Sequence, residues 1–188
     1  MLRRYAMLAA ILSGTEEEVG REVLEKENEL GELYRDIILD HYRSPRGRHE
    51  VDHPNIVNEG QNPVCGDDIE MSIRMKGDVV EDLGVHCVGC AISVASGSML
   101  AEVARGKTIA ELKQIAAAVK LMLTSGEHSE KVDLGSLSDL EVLEGVKNFP
   151  VRVKCALLAW VTLVEGLERY EKGEEGKKPS TTEEEEPA

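Results

Sequence analysis

The stretch Ile69-Glu70-Met71-Ser72-Ile73-Arg74-Met75-Lys76 alternates apolar and polar residues at every step. Successive side chains of a strand point to opposite faces, so this alternation puts Ile69, Met71, Ile73 and Met75 on one buried face and the polar residues on the other. Gly77-Asp78 follows as a turn, and Val79 to Val85 reads as the return strand of an antiparallel hairpin. Asn55 to Gly60 is a third candidate strand, after a loop rich in charge, Asn, Pro and Gly.

On both sides of these strands the apolar spacing turns helical. Upstream, Leu30, Leu33, Ile37, Ile38 and Tyr42 predict a helix over about 29–42, which Pro45 ends. Downstream, Ile92, Ala95, Met99, Leu100 and Val103 predict a helix from Cys90 to a stop at Gly106. Thr108-Ile109-Ala110-Glu111 has the form of a capping box opening a helix that should end near Ser125-Gly126. A second such pattern, Ser138-Asp139-Leu140-Glu141, predicts a short helix to about Asn148, and Pro150 suits the first turn of a last long helix to about Tyr170. A small antiparallel three-stranded sheet packed by helices is the expected architecture, an α+β fold.

The outer parts differ in character. Residues 1–28 read as a helical N-terminal extension with an acidic patch at Glu16-Glu17-Glu18, and 29–171 as the folded domain. From 172 to 188 the chain is Gly, Glu, Lys, Ser, Thr and Pro without a large apolar anchor, the composition of a disordered acidic tail.

Composition narrows the function classes. Lys+Arg number 22 and Asp+Glu 36, so the formal charge is 22 − 36 = −14, which gives a phosphate-tracking surface little support. Aromatics are only 3%, too few for base-stacking platforms, and nucleic acid is not an expected partner. No run approaches the ~20 apolar residues of a spanning helix, so no membrane partner is expected either. Leu2-Arg3-Arg4 with Tyr5 to Leu12 is short for a signal core and lacks a small-x-small cleavage site, and the expected location is cytoplasmic.

Cys65, Cys87, Cys90 and Cys155 are too few and too scattered for a disulfide scaffold. Cys65 lies in Asn62-Pro63-Val64-Cys65-Gly66-Asp67; if that segment is extended, Asp67 points the same way two residues on. Cys90 falls where the return strand gives way to a helix, whose N-terminus favours a thiolate. Cys155 sits in the first turns of the last helix beside Arg152 and Lys154, whose positive charge also favours a thiolate. Three thiolates and a carboxylate would satisfy tetrahedral zinc or an iron–sulfur site, although each cysteine taken singly fits a small buried hydrophobe equally well.

Three motifs taken together carry more weight: Asn62 to Asp67; Gly89-Cys90-Ala91-Ile92-Ser93 with Ala95 to Met99; and Phe149-Pro150-Val151-Arg152-Val153-Lys154-Cys155-Ala156. In that order they resemble the IscU/SufU family of iron–sulfur cluster assembly proteins, and Leu33 to Arg46 resembles that family's first helix. The resemblance spans about Leu33 to Glu168. Two features are similar to the SufU branch: Lys154 stands where IscU-type scaffolds carry a ligand histidine, and the 65 positions from Cys90 to Cys155 accommodate an inserted helical segment at about 124–140.

The resemblance implies that Cys65, Asp67, Cys90 and Cys155 hold zinc, and that Cys65 accepts sulfur from the persulfide of a PLP-dependent, SufS-like cysteine desulfurase. Arg152 is implied to orient a ligand or contact that desulfurase, with Lys154 beside it. SufBCD-type scaffolds or apo iron–sulfur proteins are the implied recipients. Assembly and transfer of a transient [2Fe–2S] cluster on the same three cysteines is the alternative, and a structural zinc module that only docks partners is a third reading. The chain departs from the pattern at Cys87, where the family has glycine, and at His86; these two are candidate alternative ligands or, more simply, a packed thiol and an exposed imidazole.

Overall fold

The structure, a computed structural model, describes residues 31, 32, 34–174 and the backbone of 179–181. The expected extension at 1–28 lies outside the described residues. Contacts divide the chain into 1–36, helical at 31, 32 and 34–36, and 37–188, which holds everything below.

The second unit opens with helix α1 (37–43), which stops ahead of Pro45. The sheet follows: β1 (Ile56–Asn62), β2 (Asp67–Lys76) and β3 (Val79–Val88), consecutive and antiparallel. The alternation in β2 is realised residue by residue. Ile69, Met71, Ile73 and Met75 are buried, while Asp68, Glu70 and Lys76 are exposed. Helices α2 (Ala91–Ala104), α3 (Ile109–Ser125) and α4 (Pro150–Lys172) supply the rest of the core, with α2 against β3 and α4 across β1 and α2. Trp160 of α4 is buried and donates its indole N–H to Ser96 Oγ of α2 at 3.1 Å, while that hydroxyl donates to Ala156 O at 2.6 Å. A buried indole must find such a partner, and here the partner locks the two helices together.

Pro179–Thr181 forms a short strand, β4, parallel to β1 at the sheet edge, so that the order is β3-β2-β1-β4. The composition of the tail did not anticipate it, because three residues paired through backbone groups need no apolar signature. Residues 175–178 and 182–188 lie outside the described set.

The two capping patterns have different fates. Thr108 and Glu111 form a complete box: the Glu111 N–H donates to Thr108 Oγ1 at 3.2 Å, and the Thr108 N–H donates to Glu111 Oε2 at 2.8 Å. Gly126, in the left-handed conformation at φ 72°, closes the same helix. Ser138 instead takes φ 54° and donates its hydroxyl to Glu102 Oε2 at 2.7 Å, and only a 3-10 helix follows at Leu140–Val146. The insertion expected to be helical at about 124–140 is therefore irregular after Ser125, apart from a 3-10 turn at Leu134–Ser136. Buried His41 fastens it, with Nδ1 2.8 Å from Ser98 Oγ and Nε2 3.2 Å from Asp139 Oδ2.

Replacing Thr108 by Ala removes one half of the box and should lower the melting temperature by roughly 2–4 °C for a domain of this size, read by calorimetry. The two Thr108 donors hold the Glu111 carboxyl below its usual range, the backbone bond foremost. Its contribution is thus complete above the ordinary glutamate pKa and is lost as pH falls through the depressed value. The Thr108→Ala difference should shrink in strong acid.

Candidate metal centre

Three chain junctions meet at one end of the sheet. The first is the turn between β1 and β2. The Asn62 carbonyl accepts from Gly66 N at 2.9 Å and Cys65 N at 3.3 Å, and Gly66 takes φ +68°, a conformation open to glycine at no steric cost. The segment is thus a tight turn rather than the extended run that alternation would need. Cys65 and Asp67 still converge, because the chain reverses between them.

The second junction is the end of β3. Cys90 is the N-cap of α2, as its place in the sequence predicts, and its N–H donates to Asp67 Oδ1 at 2.7 Å. That contact needs a bare backbone at Gly89, where a Cβ would stand 2.3 Å from Asp67 Oδ1. The third junction is α4, which begins with Pro150 in its first turn and carries Cys155, fully buried, in its second.

Cys65 Sγ, a carboxylate oxygen of Asp67 and Cys155 Sγ all lie within 4.8 Å of one another, and Cys90 Sγ is 3.9 Å from Asp67 Oδ2. A tetrahedral zinc ion with sulfur about 2.3 Å away spaces its ligand atoms roughly 3.8 Å apart, close to the separations here, with Cys90 beside the compact group of Cys65, Asp67 and Cys155 rather than within it. The donor set fits the metal: three soft sulfurs and one oxygen, with no open position required for solvent.

The electrostatics differ from the expectation at Cys155. Burial pushes its thiol well above the usual range, and the neighbouring Asp67, Cys65 and Cys90 push the same way, outweighing the nearby positive charge. Without a cation Cys155 is a thiol; a cation displaces its proton, which couples metal uptake to proton release. Arg152 is exposed, and the charge of Cys90 followed by a hydrogen bond to Cys155 holds its guanidinium above the usual arginine value. It therefore stands beside the thiols, while Lys154 is half-buried next to Cys155 in sequence.

The two alternative ligands fall outside the group. His86 is exposed on β3 opposite Glu70. Cys87 is half-buried with Sγ 3.3 Å from Ser93 Oγ, and burial raises its pKa to about 11, so it stays protonated at neutral pH. Around the centre, Val64, Val88, Phe149 and Val151 are all at least half exposed. Each lies within six residues of a ligand cysteine.

The sequence marks one further residue of the centre only as part of a motif. Asn62, fully buried, donates from Nδ2 to Asp67 Oδ2 at 3.1 Å and to Cys155 Sγ at 3.3 Å. The second contact spans 93 positions, so local sequence holds no sign of it.

Residues 33–156 match the NifU-like N-terminal domain family. The chain belongs to that family. It is 40% identical over 144 residues to the zinc-dependent sulfurtransferase SufU of Bacillus subtilis, a match covering 77% of this chain and 95% of the relative. It is 34% identical to the iron–sulfur cluster assembly scaffold protein IscU of Thermotoga maritima, covering 73% of this chain and 94% of that one. Among solved structures, the SufU assembly scaffold of the SUF system from Fervidobacterium islandicum superposes with a TM-score of 0.64 at 32% identity, over 70% of this chain and 93% of that one. The family expected from the motifs and the α+β architecture of three antiparallel strands packed by helices are thus both found, with β4 added at the sheet edge. Among the described residues no helix is long and apolar enough to cross a membrane.

Proposed function

We propose that this protein is a zinc-dependent sulfur acceptor that takes sulfur onto Cys65 from the persulfide of a PLP-dependent, SufS-like cysteine desulfurase. The observation that carries the reading is the convergence of Cys65, Asp67 and Cys155 within 4.8 Å, with Cys90 against the same carboxylate. Zinc bound there would keep thiolates deprotonated at neutral pH. Cys65, half-exposed on a tight turn beside Gly66, can meet a partner as buried Cys155 cannot. Its sulfur attacks the terminal sulfur of the desulfurase persulfide. A new S–S bond forms on Cys65 as the old one breaks, the desulfurase cysteine leaves as thiolate, and no outside oxidant or reductant is required.

Exposed Val64, Val88, Phe149 and Val151 would give the desulfurase an apolar rim to cover, and Arg152 would meet a negatively charged persulfide at its centre. SufBCD-type scaffolds or apo iron–sulfur proteins would receive the sulfur. Four free thiols suit a reducing cytoplasm, where we place the protein.

The second reading, a scaffold for a transient [2Fe–2S] cluster, uses the same three cysteines and is supported by the scaffold names of several relatives. Lys154 weighs against it, because a protonated lysine offers no lone pair where a scaffold's histidine would. Purified protein should carry about one zinc per chain by elemental analysis, and Cys90→Ser should lower that content. Metal content indifferent to Cys90→Ser rules the site out. Asp67→Ala should weaken zinc binding by at least the roughly 10–100-fold that losing a ligand's supporting partner costs, in chelator competition, while the circular dichroism of the fold is kept, since three sulfurs remain and water can enter the vacancy.

A further inference from the structure

Asn62 ends β1, pairs in register with Asp67, and is wholly removed from solvent. Its backbone carbonyl already holds the Cys65-Gly66 turn, a task any residue could perform. The side chain is harder to account for. Oδ1 is buried and has no hydrogen-bond partner among the described residues, a state that opposes folding. Leucine has nearly the same shape and would carry no orphaned oxygen. The amide must therefore be explained by what Nδ2 does.

Both hydrogens of Nδ2 are committed, one to Asp67 Oδ2 and one to Cys155 Sγ. Rotating the amide by half a turn would set a carbonyl oxygen against the Asp67 carboxylate, and against a third acceptor once Cys155 is a thiolate, so the orientation is dictated by the two ligands. An N–H donated to a metal-bound thiolate draws electron density from sulfur and makes it a poorer nucleophile and a steadier ligand. Asp67 is held twice, by Asn62 at Oδ2 and by the Cys90 amide at Oδ1. Cys65 is held by its turn, which orders its backbone and leaves its sulfur outside this bracing.

We infer that Asn62 is a positioning residue whose single amide nitrogen braces Asp67 and Cys155 as standing ligands, so that the Cys155 thiolate is held on the metal more firmly than that of Cys65. The inference rests on the metal-site reading above and goes beyond it by ranking Cys155 against Cys65.

The test compares parent, Asn62→Leu and, as a smaller replacement, Asn62→Ser, each as the full chain, with metal-free and metal-loaded forms measured separately. For Asn62→Leu the metal-free melting temperature should change little, because relief of the orphaned Oδ1 offsets the donor lost to buried Asp67, while zinc affinity in chelator competition falls about 10–100-fold. With cobalt(II) as the probe, the sulfur-to-metal charge-transfer band should move to longer wavelength, since a thiolate relieved of its N–H donor gives up an electron more easily. Limited alkylation of the zinc-loaded chains, mapped by mass spectrometry, should modify Cys65 well ahead of Cys155 in the parent and with a smaller lead in the variants. If the parent carries no metal, the site reading fails and the inference with it. If the parent binds zinc and the variants match its affinity and band position, the inference alone is overturned. A loss of metal-free stability with an unmoved charge-transfer band overturns it as well, by reducing Asn62 to packing; should Asn62→Leu fail to fold, the same criteria are applied to Asn62→Ser.

Discussion

Cys65→Ser should reduce sulfur acceptance to the background of the desulfurase alone. The replacement is nearly isosteric, so the turn that depends on the Asn62 carbonyl and on Gly66 at φ +68° is kept. What changes is the nucleophile. A metal-bound thiol is readily held as the thiolate, whereas a hydroxyl stays protonated and cannot displace a persulfide's leaving thiolate. Cys155→Ser would remove a buried ligand and confuse the two roles, so Cys87→Ser is the informative control. Cys87 is protonated at neutral pH, with its pKa raised by burial to about 11, and its sulfur rests against Ser93. Below that value it offers almost no thiolate, and its replacement should leave acceptance within about twofold of the parent. The assay mixes each variant with a cysteine desulfurase, cysteine and a reductant, then follows alanine release and the mass of sulfur carried on the chain. Full activity in Cys65→Ser, or none in Cys87→Ser, would move the reactive centre to the Cys87/Cys90 pair.

How far the sequence alone reaches can be judged element by element. The β2 strand is legible because its period of two is set by one buried face, and the burial of Ile69, Met71, Ile73 and Met75 follows that period without exception. The Thr108 capping box is legible because all its partners lie within four residues. Ser138-Asp139-Leu140-Glu141 offers the same letters and fails, since a distant acceptor on Glu102 competes for the serine hydroxyl and the serine backbone turns left-handed. At the centre, the ligand types and their motifs are visible locally, but the reason Cys65 and Asp67 meet is not. Alternation suggested an extended segment; a turn does the work. Asn62 and Gly89 escaped for a related cause. One acts through a bond to Cys155 on another element and the other through a side chain that it lacks, and both meanings appear only when β1, β3 and α4 are brought to one point.

Gly89 yields the second large effect. Gly89→Ala adds a single methyl group, yet its carbon would lie 2.3 Å from Asp67 Oδ1 and 2.9 Å from both Cβ and Cγ of that residue, distances at which one group must give way. Asp67 has little room to do so. It is buried to 1% exposure, tied through Oδ1 to the Cys90 N–H and through Oδ2 to Asn62. If the carboxylate yields, it leaves both donors and the sulfur of Cys90; if the strand-to-helix junction yields, Cys90 withdraws from the other ligands. Either route separates Asp67 from Cys90, and zinc affinity should fall by at least the roughly 10–100-fold expected for losing one supporting contact, with the core helices intact. A double-mutant cycle isolates the cause. In an Asp67→Ala background the clash partner is absent, so adding Gly89→Ala should cost little further affinity, whereas the two losses would simply add if Gly89 served only the backbone of the junction. Additive losses in that cycle would show that the glycine acts on the chain path and not on the carboxylate. Strong non-additivity would establish that a bare backbone at residue 89 is what admits Asp67 to the centre.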